Sequence, residues 1–423
     1  MNTLASLVLR RSGSSTTCDL PTPLVPIPTE PIAGSKDFYH VNVIVSGALA
    51  IFSTLVVSVL MWRHATNMSR PREQLHILRI CLLLPIFAIV LWVGVYIPRT
   101  YVYLYSVVVI CEPVTLTCFF LFICETLAAP APTAPDDSDS PSSAPPLSRR
   151  AVFLSPLTAR ARRLGVPLTD GRALNRFRLN CAGVAQGMPI AWAVALAAIA
   201  SEAAGAYCLT AHDAHHAHLY LIVFKTISTF TALLAVLRTT LPVREELKQH
   251  RAVTKLWAFK ALIFLQVAQD FIFSIVNSNA PRSLTESKTV SKIDFITGIP
   301  SLVVEVELVI FALFFHYAYS VSLYQLTDEQ KRAGRTYEAH GWRLIYKVLD
   351  IRDVLALITF TFRIRSEAEA HEAEMNTMTT MTMQQQQQQR GRPSETSPDS
   401  SSVRDSAEGK SAHEQVTETA VLK

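Results

Sequence analysis

Seven continuous apolar stretches dominate the chain, over residues 41 to 62, 77 to 97, 101 to 124, 183 to 206, 219 to 241, 256 to 276 and 295 to 320. Each reaches the roughly 20 residues that a helix rising about 1.5 Å per residue needs to cross the hydrocarbon core. In lipid, backbone polar groups must be satisfied within the element, which leaves helices and closed barrels. Barrel strands alternate apolar and polar residues over about ten positions. These runs are unbroken and twice as long, so the pattern predicts an all-α, polytopic membrane bundle of seven transmembrane helices.

The intervening segments have other compositions. Residues 1–40 are rich in Ser, Thr and Pro; 129–148 read APAPTAPDDSDSPSSAPPLS; 366–423 hold six consecutive glutamines and no aromatic residue. None has enough apolar surface to offset the entropy of ordering, and all three are expected to be disordered. The domain plan is then a disordered N-terminal segment (1–40), three spans (41–128), a cytoplasmic loop that is Pro/Ser-rich and then basic (129–182), four spans (183–320), an amphipathic segment (321–365) and a disordered tail (366–423). In the amphipathic segment, LIYKVLDIRDVLALITFTFRI mixes apolar residues with Lys347, Arg352, Arg363 and Arg365. Two readings stay open: a helix along the inner membrane surface, or a cytosolic helix packed on the bundle.

Charge orients the bundle. Only 17% of residues are charged and the mean hydropathy is +0.26. Lys and Arg collect in cytoplasmic loops, and here they collect after the first span (Arg63, Arg70, Arg72, Arg79), after the third (Arg149, Arg150, Arg160 and onward) and after the fifth (Arg244, Lys248, Arg251, Lys255). The second loop has only Arg99 and the fourth, CLTAHDAHHAH, has neither Lys nor Arg. The N-terminus is therefore expected outside or in a lumen, and the C-terminus in the cytoplasm. Asn67-Met68-Ser69 then faces the cytoplasm, unglycosylated. Arg10 and Arg11 precede a polar stretch rather than an apolar core, so the first span is expected to serve as the insertion signal. Cys81, Cys111, Cys118, Cys124 and Cys208 lie in or beside apolar runs and are expected to be packing residues, while Cys18 and Cys181 fall on opposite sides of the membrane and cannot pair.

Ionisable groups at membrane depth are costly and mark a pathway or a pair. Counting about 1.5 Å per residue from the outer face, Glu112 lies about 16 Å deep, Lys225 and Asp270 about 10 Å, and Glu305 and Glu307 about 15 to 20 Å. Lys225 and Asp270, on consecutive antiparallel spans, are placed to neutralise each other. Glu112 and Glu307 have no equally obvious cation. A polar chamber formed by Glu112, Lys225, Gln269, Asp270, Glu307 and His316 is one reading; buried pairs that fix helix packing are the other. Lys260 enters the sixth span near the cytoplasm, where snorkelling explains it. The cluster His212, Asp213, His215, His216 and His218 has the donors of a metal site or pH sensor, though a flexible polar loop fits it better. Pro85 is expected to kink the second span.

Read in order, the residues resemble the organic solute transporter alpha-subunit family, which includes the transmembrane protein 184 proteins. The resemblance rests on His64, Pro71, Glu73, Gln74, Arg79, Pro85 and Trp92; on Glu112 and Glu125, thirteen apart on the third span; on Arg244, Glu245, Lys260 and Gln269; and on Glu307 with His316 and Tyr317. Val90-Leu91-Trp92 and Thr226-Ile227-Ser228 depart from the family pattern, and the cysteines usual after the third span are absent. These departures imply a divergent branch, and the six glutamines and long Ser-rich tail fit a fungal or other lower eukaryotic member.

The resemblance implies a seven-helix bundle in a vacuolar, endosomal or plasma membrane that moves amphipathic organic solutes, sterol-like molecules or organic anions, with membrane lipids around it. It also implies a single-span partner subunit or a homo-oligomer. A second hypothesis is a non-transporting scaffold whose C-terminal segment recruits a cytosolic trafficking or autophagy protein, through a tetrad such as Trp342-Arg343-Leu344-Ile345. No phosphate-binding glycine loop, metal-ligand spacing or nucleophile-base arrangement is present. No cofactor, nucleic-acid partner or enzymatic activity is expected. A retinal protein is disfavoured because no Lys lies within the last span, and a signalling receptor because Glu125 is followed by Thr126 and Leu127.

Overall fold

The computed structural model describes residues 26–128, 148–209, 217–248, 287–332 and 341–390, with scattered positions from 254 to 276 and three between 333 and 340. The chain divides into one unit of residues 1–373 and a second of 374–423. The described part of the second is the continuation of one helix, to Arg390.

Among the described residues, six helical stretches are long and apolar enough to cross a membrane: Phe38–Thr66, Pro71–Tyr96, Pro98–Ala128, Gly171–Ala203, Ala217–Val243 and Asp294–Tyr324. The expected span at 256–276 lies largely outside the described residues, and its described positions are helical. We label the helices α1 (Phe38–Thr66), α2 (Pro71–Tyr96), α3 (Tyr101–Ala128), α4 (Arg149–Leu164), α5 (Gly171–Ala185), α6 (Gly187–Ala203), α7 (Ala217–Thr240), α8 (Ile299–Ala318), α9 (Asp328–Arg332), α10 (Arg343–Leu349) and α11 (Arg352–Arg390).

Local signals set the ends. Asp37 caps α1, accepting from the His40 backbone N at 3.1 Å; the imidazole of His40 beside it holds the Asp37 carboxyl below its usual range. Pro71 opens α2 at a position where a missing N–H costs nothing, and the Gln74 side chain accepts from the Arg70 N at 2.9 Å. A 3-10 turn at Pro98–Thr100 reverses the chain between α2 and α3. The span at α3 is 72% buried, against 28% for that at α7, so α3 is the central helix and α7 a peripheral one.

Close packing follows small residues. The α1 and α2 helices run antiparallel, tied by Tyr39 Oη donating to Tyr96 O (2.7 Å) and Trp92 Nε1 to Val43 O (3.2 Å). A Cβ at Gly47 would sit 2.7 Å from Trp92 Nε1, so only glycine admits the indole. Helix α8 lies parallel to α1: Asn42 Nδ2 donates to Gly298 O (3.0 Å), His316 Nε2 meets Val56 O (2.8 Å) and His64 Nε2 meets Tyr319 O (2.8 Å).

The 129–182 segment, read as a loop, contains helices α4 and α5. Their boundaries are written locally: Ser148 accepts from the Ala151 N, Gly165 takes the left-handed conformation (φ 65°) that ends α4, and Asp170 accepts from the Ala173 N at 2.9 Å. Helix α4 docks through Ser155 Oγ, which donates to Cys124 O (2.7 Å), and through Phe153 edge-on to Phe360 at 4.9 Å.

Two expectations are corrected. Composition predicts disorder from 366, but α11 continues to Arg390; the Ala, Glu, Met and Gln of that stretch are good helix formers, and Gly391 and Pro393 supply the stop signals only afterwards. Cys208, expected as a packing residue, is disulfide-bonded. It lies in the turn beyond the end of α6, outside the helical span. The other described cysteines are free, Cys181 buried among them; Cys18 lies outside the described residues.

Candidate functional site: a chamber in the bundle

A cavity of about 520 Å³ opens between α2, α3, α6, α7, α8 and the described positions around Gln269. That volume is in the range of small-molecule sites, roughly 300 to 1,000 Å³. Its walls are mostly apolar, with Val109, Val194, Leu221, Phe230, Phe264 and Phe273 among them. The polar groups are the minority: Tyr101, Tyr105 and Ser106 on α3, Tyr207 beyond α6, His218, Lys225, Thr226 and Thr229 on α7, Gln269, and Ser301 on α8. Tyr101 and Tyr105, one turn apart, stack with centroids 5.9 Å apart.

Lys225 is the cation in this wall. Its Nζ lies 3.7 Å from Glu112 Oε2, donates to Tyr105 Oη at 3.3 Å, and sits 5.0 Å from the centre of the Tyr105 ring. The side chains of Lys225 and Glu112 are 14% and 10% exposed, so the pair is shielded from solvent. Glu112 on the central helix, read from depth as having no obvious cation, thus meets Lys225; Asp270, read as the counter-ion of that lysine, lies outside the described residues. A small second cavity, about 20 Å³, reaches from Lys225 past Glu112 to Gly187.

Gln269 joins the chamber to α8. Its Nε2 donates to the Glu307 carboxylate, so Glu307, though not itself in the wall, holds a residue that is. One turn apart on the buried side of α8 are Ser301 (1% exposed) and Glu305 (0%). Among the described residues neither the Ser301 hydroxyl nor either Glu305 oxygen has a hydrogen-bond partner.

Where α1 and α8 end and α2 begins, the motif residues form a second, denser polar group. His64 Nε2 meets Tyr319 O, and the Gln74 side chain donates to Asn67 O (2.9 Å) and His64 O (3.3 Å). Tyr324 Oη donates to Glu73 Oε2 at 3.3 Å, and Arg70 pairs with the same carboxylate at 3.2 Å. Lys255, read as a loop cation, is fully buried here, 4.6 Å from the Phe122 ring and 3.5 Å from Tyr324 Oη. Tyr319 Oη donates to Lys255 O at 3.2 Å. Residues 255 and 269 thus sit at the levels of Tyr319 and Glu307, antiparallel to α8.

Arg79 is placed differently again. Its guanidinium donates to Val348 O and Lys347 O (both 3.0 Å), to Asp350 O (2.5 Å) and to Asp353 Oδ2 (2.7 Å). It caps the C-terminus of α10 and anchors the start of α11. Arg352 donates to the exposed Asp350 carboxylate and holds that carboxyl at about 2.

The remaining expected positions scatter. His316 binds Val56 O rather than lining the chamber, Glu125 sits half-buried in the last turn of α3, and Pro85 is buried within an unbroken α2. Lys260 and most of the histidine cluster lie outside the described residues; His218, the one described member, packs edge-on to Tyr207 at 5.0 Å. Among the described residues no group of His, Cys, Asp or Glu is arranged to hold a metal ion. Tyr105 and Ser301 were not expected at the site and His218 only as a member of the histidine cluster; the i, i+4 repeat of Tyr101 and Tyr105 could have drawn attention to α3.

No curated protein and no solved structure matches the chain. A family profile described as Organic solute transporter Ostalpha matches residues 42–324, the stretch that holds all six candidate spans but the first residues of α1. The chain is therefore a multi-pass membrane protein that belongs to the organic solute transporter Ostalpha family.

Proposed function

We propose that this protein moves amphipathic organic anions, sterol-like molecules among them, through the chamber between α3, α7 and α8. The carrying observation is a cavity of about 520 Å³ whose wall is mostly apolar and holds a lysine. An apolar solute body is stabilised by the Phe and Val surfaces, and its anionic end exchanges with Glu112 for the Lys225 ammonium. Tyr105 steadies that ammonium through its hydroxyl and its ring.

The path has seven crossings in this reading. Helices α1 and α8 are parallel, which requires an odd number of crossings between them; α2, α3, α5–α6 and α7 make four, and 256–276 is the fifth. The disulfide at Cys208 supports the orientation, because disulfides persist on the exterior or lumenal side. The N-terminus then faces that side and α10 and α11 the cytoplasm.

The test is uptake of labelled sterol sulfate into proteoliposomes. Saturable uptake that falls at least tenfold in Lys225→Gln and Glu112→Gln, with unchanged melting, is the expected result. Uptake by both variants at the wild-type rate refutes the site. A scaffold function is favoured by one observation only: Trp342 and Ile345 are 68% and 62% exposed, which leaves both anchors of the tetrad free for a cytosolic partner. Capture of a ubiquitin-like protein that Trp342→Ala and Ile345→Ala abolish, without sterol uptake, is its signature.

A further inference from the structure

We propose that Glu305 is a proton-binding site, reached from the chamber through Ser301, and that solute movement carries a proton with it. The site stands on geometry alone; its coupling to the solute rests on the transport function proposed above.

Glu305 lies in the middle of the Asp294–Tyr324 span, fully buried, with neither carboxyl oxygen bonded among the described residues. An ionised carboxyl group at that depth is costly unless a cation or several donors attend it. Among the described residues its surroundings offer none. On α1 the buried groups toward α8 are Asn42, Ser46 and Ser53, each engaged with a near neighbour. His64 is bound to Tyr319 O, fourteen residues or about 21 Å down the helix from Glu305.

On α2 the buried titratable groups are Glu73, His76, Arg79 and Cys81, all in its cytoplasmic half. On α8 itself, His316 is occupied by Val56 O and Glu307 by Gln269. The chamber's Lys225 is occupied by Glu112 and Tyr105. Among the described residues a proton is the cation the site can accept.

Ser301 supplies the route. It lines the chamber, its hydroxyl is unbonded, and it stands one turn before Glu305 on the same side of α8. A hydroxyl accepts and donates in turn, so it can pass a proton from chamber water to the carboxylate. One O–H bond forms on Glu305 and one breaks in hydronium; no oxidant or reductant takes part. An anion entering with that proton crosses without net charge.

The experiment uses the full chain in lipid nanodiscs and infrared difference spectra taken in H2O and D2O. A protonated carboxylic C=O band that shifts on deuteration, disappears in Glu305→Gln and persists in Glu112→Gln is expected. In proteoliposomes with an entrapped pH dye and external sterol sulfate, protons entering per solute are expected to fall at least tenfold in Glu305→Gln. A band that survives in Glu305→Gln overturns the site, and an unchanged proton-to-solute ratio overturns the coupling. Should Glu305→Gln fail to fold, Glu305→Asp decides: the band must move in frequency, and an unmoved band overturns the assignment. If no variant transports solute, the transport reading fails while the infrared band still decides on Glu305.

Discussion

Replacing Arg79 with alanine removes one buried group that meets His76 Nδ1 at 3.4 Å on its own helix and serves four acceptors around α10 and α11 at once. Three are backbone carbonyls at the end of α10 (Lys347, Val348 and Asp350) and the fourth is the Asp353 carboxylate at the start of α11. A hydrogen bond to a charged group is worth about 1.5–3 kcal/mol. Four such bonds do not add, because they share one guanidinium and because Asp353, 29% exposed, regains water. About 4 kcal/mol is left, in the range for breaking a partly buried pair. At about 1.4 kcal/mol per factor of ten, amides across α10 are expected to lose about three orders of magnitude of hydrogen-exchange protection, while those of α3 keep theirs. Arg79→Lys keeps a charge for Asp353 but cannot span the carbonyls, so its loss should be about half. Unchanged α10 protection in Arg79→Ala would refute the reasoning and leave the packing of Leu344 and Val348 on Met68 and Leu78 as what holds the segment.

Three further outcomes follow from local geometry. Gly47→Ala drives a methyl to 2.7 Å from Trp92 Nε1; overpacking of that kind costs about 1–3 kcal/mol, and a lower melting temperature in detergent, relieved by Trp92→Phe, is the readout. Asp37→Ala removes the α1 cap at a cost of about 1 kcal/mol. Because hydrogen bonding to His40 holds the Asp37 carboxyl below 3.8, the cap is present above the unfolded value and lost as pH falls through the depressed one; the protection factors of the first α1 amides, taken relative to the intrinsic exchange rate at each pH, should fall steeply only below about 4. Cys208 should react with a membrane-impermeant maleimide added outside sealed vesicles only after reduction. Labelling before reduction counts against the disulfide, and labelling only after permeabilisation counts against the orientation.

The spans were legible because burial in lipid demands length and continuity, and both are one-dimensional properties of the chain. The contact of Glu112 with Lys225 was not, for a geometric reason. Residue counting fixes the height of a side chain along its helix but not its azimuth, and Asp270 and Glu112 both stood near enough in height to serve. The azimuth is set by packing: Gly183, whose Cβ would meet Ala235 at 2.8 Å, and the reciprocal bonds of Gln186 with Ser228 draw α5 and α7 together. Val109 meets Ala191 and Ala195 beside them. That packing turns Lys225 toward α3.

Arg79 and Lys255 were misread in a related way. Both count as positive charge in loops expected to be cytoplasmic, yet both side chains fold inward to acceptors and aromatic rings supplied by distant parts of the chain. Arg79 needs carbonyls 268 to 271 residues away, and Lys255 needs Phe122 and Tyr324. Helices α4 and α5 are the opposite case. Ser148, Gly165 and Asp170 were start and stop signals in plain view, and the arginines around them led the segment to be read as a loop. Charge composition says which side of the membrane a segment occupies, and caps say whether it is helical. Where the two were read as one question, the structure had to separate them.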